Sequence, residues 1–137
     1  MKEVQIVNTL VKFYDEKEDI VWMQYLADEK DSDDLESAQQ ITEGIQPLFE
    51  LDKAQCFMVD APTFYIDKEV LDFYNKTDYG EIARAIIIKS FTTKVMGNMF
   101  MKLNKNKPSE KGRIIPVKLF NSHEKAVKWL REEMEKA

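Results

Sequence analysis

The chain reads as an α/β protein built on a mixed, mostly parallel sheet of about five strands with four helices. Two observations predict it. Short apolar runs with polar boundaries recur at 54–60, 83–90 and 114–120, and segments of helical period lie between them. Ahead of these stand two stretches rich in β-branched and aromatic residues, 4–14 and 20–27, separated by the polar "DEKED". Strands alternating with helices imply parallel pairing, and the opening hairpin supplies the antiparallel part. With 137 residues, 44% hydrophobic and 33% charged, the chain suits a single folded domain over 1–137.

The elements follow in order. In "VQIVNTLVKFY", strict alternation puts Ile6, Leu10 and Tyr14 on one face and Val7, Val11 and Phe13 on the other. Both faces are apolar, so the hairpin is expected to be covered on both sides, by helices or by another subunit. A helix then starts at Asp33, with Glu36 three residues later as a capping box, and carries Leu35, Ala38, Ile41, Ile45 and Leu48 at helical spacing. Pro47 imposes a break at 45–47. "AQCFMVD" is a buried parallel strand, and "IDKEVLDFYNK" is a helix capped by Asp67 with Ile66 stapled onto Leu71. "ARAIIIKS" is the next strand, and 91–105 the next helix. A polar, lysine-rich segment, "NKNKPSEKGR", is expected to be a mobile loop. "IIPVKLF" closes the sheet, with Pro116 at an edge or a strand start. The last helix is capped by Asn121 or Ser122 and buries Ala126, Val127, Leu130 and Met134.

The stretch "FTTKVMGNMFMKLNK" at 91–105 has three methionines, two phenylalanines and no acid. On a helix, Phe91, Val95, Met96, Met99, Phe100 and Leu103 fall on one arc, which reads as core packing. Met101 stays on the polar side. Gly97 in mid-helix costs ~1 kcal/mol relative to alanine unless close packing requires it. Gly97, Phe100 and Met101 are therefore the candidate contacts for self-association or for a lid.

Charge is unevenly placed. The chain carries −5, yet residues 1–82 carry −13 and residues 83–118 carry +8. Such asymmetry steers an anionic partner, or else neutralises itself across the surface. No run approaches the ~18 apolar residues of a membrane span. One cysteine excludes an internal disulfide and fits a bacterial-type cytoplasm.

Few residues point to chemistry. A pairing of Cys56 with His123, the sole histidine, is disfavoured because a thiol buried in mid-strand is inert. No cluster has metal-ligand spacing, the four glycines form no phosphate loop, and aromatic interleaving is too thin for nucleic acid. Position in the fold says more. Ligands of open α/β sheets bind outside the carboxyl ends of the strands. That places Asp60, Thr63 and Tyr65 near Lys89, Ser90, Thr92 and Thr93, where a helix start favours an anion. The alternative is that Asp60 bonds loop amides and Ser90 or Thr92 merely caps the helix.

The segments 56–67, 83–105 and 115–130 together resemble the STAS fold, and more closely the STAS-like (SpoIIAA-like) bacterial proteins of unknown function. The last piece, "IPVKLFNSHEKAVKWL", carries a strand ending in Phe, a cap, and a helix with Ala and Trp-Leu. The resemblance implies a non-catalytic regulatory or protein-interaction module, and the two-sided apolar hairpin adds the expectation of a homodimer or a protein partner. It also allows a carrier or sensor of a small amphipathic or anionic ligand, a lipid or nucleotide. A hydrolase using Asp60 ranks last. STAS members switched by phosphate carry a serine-containing turn at the start of the second helix. Here Lys68, Glu69 and Val70 replace its serines and glycine, so the switch does not carry over.

Overall fold

The computed structural model describes residues 3–26, 34–62, 66–105 and 107–137. Six strands form one sheet: β1 Glu3–Ile6, β2 Thr9–Phe13, β3 Ile20–Tyr25, β4 Cys56–Asp60, β5 Arg84–Ile87 and β6 Val117–Phe120. Their order in space is their order in sequence. The β1–β2 and β2–β3 pairs are antiparallel, and the three pairs from β3 to β6 are parallel. The helices are α1 Leu35–Ile45, α2 Lys68–Lys76, α3 Phe91–Asn104 and α4 His123–Lys136. None of the described helices is long and apolar enough to cross a membrane.

The sixth strand arises inside the first apolar run. Val7 and Asn8 form a two-residue turn in which Val7 takes φ 54°, and the Thr9 hydroxyl closes it by donating to the Ile6 carbonyl at 2.7 Å. The turn resets the alternation. Val4 now faces Val11 and Ile6 faces Thr9, so Ile6 shares a face with Val11 and Phe13 rather than opposing them. Helix α1 covers that face with Ile41 and Ile45. The opposite face of the hairpin carries Leu10, Lys12 and Gln24 beside Trp22, with the Lys12 ammonium 5.1 Å from the Trp22 ring. That surface is only partly apolar, so the hairpin does not argue for a covering subunit.

Steady progress across the sheet decides where the helices lie. Right-handed crossovers that always advance in one direction place every connecting helix on one side. Accordingly α1 packs with Val11, Phe57 and Tyr79, and α2 and α3 pack with Ile86 through Val70, Leu71, Met96 and Phe100. Helix α4 follows the last strand and takes the other side, where Ala126, Val127 and Leu130 meet Ile20, Cys56, Met58 and Ala85.

Other boundaries show their local causes. Asp34 caps α1 by accepting from the Ser37 amide at 2.7 Å; Asp33, the expected cap, lies outside the described residues. Helix α1 gives way at Gln46–Leu48 to a single 3-10 turn, where Pro47 was expected to break it. Asp67 stands at the N-cap of α2 but makes no side-chain cap bond, contrary to expectation; its carbonyl receives the Val70 and Leu71 amides instead. Pro116 directly precedes the edge strand β6. The end of the lysine-rich loop, at 109–113, is bonded to the segment after α2. Arg113 grips Asp78 through two nitrogens at 3.0 and 2.7 Å, the Ser109 hydroxyl donates to Asp78 at 2.6 Å, and the Glu110 amide donates to the Lys76 carbonyl.

Candidate functional site

Asp60 ends β4 on the face covered by α4. Its carboxylate is almost fully enclosed, and three side chains from three other elements converge on it. Trp22 of β3 donates its indole N–H to Oδ1 at 3.0 Å, and His123 Nε2 stands 2.8 Å from the same oxygen. The Lys89 ammonium, just past β5, donates to Oδ2 at 3.2 Å. The Trp22 and His123 rings meet edge to face at 5.0 Å. The Asp60–Lys89 contact thus matches the strand-end expectation. Strand order runs β1 to β6 without reversal. Helix α4 brings His123 over the strand end from the other side.

These contacts limit what Asp60 can do. Both of its oxygens are engaged, so a substrate proton would have to displace a bonded donor. The imidazole is bonded to Asp60, and among the described residues no hydroxyl or thiol is bonded to it. Cys56 lies deeper on the same strand face. Burial pushes its thiol up to about 12, and its S–H points toward the Leu130 carbonyl at 3.7 Å. Nor do any three His, Cys, Asp or Glu side chains among the described residues group to hold a metal.

The second half of the expected site serves α3 itself. The Ser90 side chain accepts from the Thr93 amide, while Thr93 Oγ1 receives the Ser90 and Lys89 amides at 2.8 and 2.9 Å. This reciprocal cap uses the groups that were expected to face an anion. Thr93 is fully buried and unavailable to a ligand, whereas Thr92 is exposed. Thr63 and Tyr65 lie outside the described residues.

The cap also sets the rotation of α3. Thr93 must point inward to reach the Lys89 and Ser90 amides, so the buried stripe becomes Thr93, Met96, Gly97 and Phe100. Gly97 lets α3 approach the sheet closely. A Cβ there would come within 3.2 Å of Ile88 and 3.3 Å of Leu119. Gly97 and Phe100 are thus core residues and not contacts for self-association, while Met101 is half-buried. The same rotation carries Phe91 and Val95 out of the expected core arc, and they are 82% and 43% exposed. Lys94, Asn98 and Lys102 are exposed beside them, and the helix contains no acid. An outward-facing apolar and basic stripe results. Sequence periodicity missed it because the Met-rich arc hid the phase; the Ser-x-x-Thr pattern at 90–93 is the signal that could have revealed it.

The family described as "Domain of unknown function (DUF7793)" matches residues 13–134. No curated protein and no solved structure matches the chain.

Proposed function

The chain belongs to the DUF7793 family of unknown function, and from that premise we propose that it is a non-catalytic regulatory or protein-interaction module of the STAS-like type, which recognises its partner through the outward face of α3. The exposure of Phe91 and Val95 beside Lys94 and Lys102 carries this reading. Exposed apolar side chains next to charges of one sign suit a partner with apolar anchors and acidic flanks. Self-pairing through this face is disfavoured. An antiparallel two-fold pairing centred on Asn98 would set Lys94 against Lys102 of the other copy. The partner that fits is an acidic protein segment.

Affinity capture from an extract of the source cell tests the reading, with the wild type and the Phe91→Asp, Val95→Asp variant as parallel baits. The expected result is a partner held by the wild type, lost from the variant and released by high salt. Identical captured sets would overturn it.

A further inference from the structure

Between the sheet and helices α2 and α3 lies a cavity of about 70 Å³. Its wall is mainly carbon, with Met23, Phe57, Val59, Ile86, Met96 and Phe100 contributing. Protein interiors leave few voids larger than a water molecule, and a buried water needs two to four polar partners. Among the described residues of the wall Arg84 is the only charged one, and its guanidinium is committed elsewhere. Nε and Nη2 donate to Glu81 at 3.0 and 2.6 Å, Nη2 also to the Thr77 carbonyl, and Nη1 to the Tyr74 carbonyl. Among the described residues, therefore, no uncommitted charge faces the cavity.

We infer that this cavity is a binding site for a small uncharged apolar ligand, a single ring or a short aliphatic chain. An anion would enter without a counter-charge and lose its hydration. Apolar cavities of about 150 Å³ take up benzene, so a ring enters this smaller space only if the wall yields. Met23 supplies the give, since an unbranched thioether changes rotamer readily; Met96, whose sulfur accepts from the Ile66 amide at 3.2 Å, yields only by releasing that contact. Phe91 and Val95 do not line the cavity, so this site stands or falls apart from the partner-binding face.

The test uses the full chain with ¹³C-methyl methionine, titrated with benzene and, separately, with benzoate. Benzene is expected to shift the Met23 and Met96 methyl signals saturably and to leave Met101 unmoved. Benzoate, the same ring with a charge, is expected to bind at least about tenfold more weakly. Val59→Phe, which fills the cavity, should weaken benzene by at least about tenfold; Ala61→Leu replaces it if that variant does not fold. Absence of a saturable benzene shift, benzoate binding as tight as benzene, or undiminished affinity in a filled variant would each overturn the inference.

Discussion

Asp60 joins β3, β5 and α4 to the end of β4 through one enclosed carboxylate, and its cost of removal follows from its partners. Asp60→Ala leaves the Trp22 N–H and the His123 Nε2 without their acceptor. The expected loss is about 1–3 kcal/mol of stability, because a buried polar group deprived of its partner keeps its desolvation penalty. Lys89→Ala removes only an ammonium that is 57% exposed, so its expected cost is at most about 1 kcal/mol. Urea unfolding of the two variants checks this, and equal losses would contradict the assignment of Asp60 as a structural junction. Asp60 and Lys89 were legible as neighbours because both close parallel strands. Trp22 and His123 were not, because period-2 and period-3.6 patterns give the face a residue takes but not which distant element ends over it. The His123 contact depends on where α4 docks, 63 residues further along the chain.

Helix α3 divides its labour between an inner face that packs and an outer face left open. Phe100→Ala should destabilise the protein by about 3–5 kcal/mol through a buried cavity, whereas Phe91→Asp and Val95→Asp should leave the urea midpoint nearly unchanged. A large stability loss at position 91 would mean that its ring is packed, and would contradict the observed phase of the helix. Here the existence of the helix was legible and its rotation was not. Six apolar residues offered a plausible arc, yet the Ser90–Thr93 cap imposes a different one. The β1–β2 turn teaches the same lesson. The run 4–14 is correctly a β segment, but a two-residue turn at Val7 and Asn8, without the usual glycine, split it into two strands and exchanged its faces.

Across the whole molecule, ion pairs between the acidic and basic segments fasten the loops to the sheet. Asp78 is the clearest. Burial pushes its carboxyl up, but the hydrogen bonds from Arg113, Ser109 and the Gly80 amide outweigh that and hold it well below the usual carboxylate range. Asp15 is likewise lowered, with burial opposed by its hydrogen bond to Arg131. A carboxyl whose folded value is depressed stabilises the fold above its unfolded value of about 3.9, and that contribution is lost as pH falls toward the folded value. Stability should therefore hold between pH 7 and about pH 5 and decline below about pH 4. Asp78→Asn should be less stable at pH 7 and show a shallower decline in acid, read from urea midpoints at several pH values; a wild-type-like decline would contradict the role given to Asp78. These clasps use part of the basic segment, through Lys89 and Arg113. Lys94 and Lys102 remain on the outer face of α3, where the account places recognition. The most direct measurement of that claim is site-specific photocross-linking in the source cell, with a benzophenone side chain at Phe91 and, as control, at the still more exposed apolar Leu51 on the turn before β4. A discrete adduct is expected from position 91, competed away by unlabelled wild type, and none from position 51. The same adducts from both positions, or none from position 91, would contradict it.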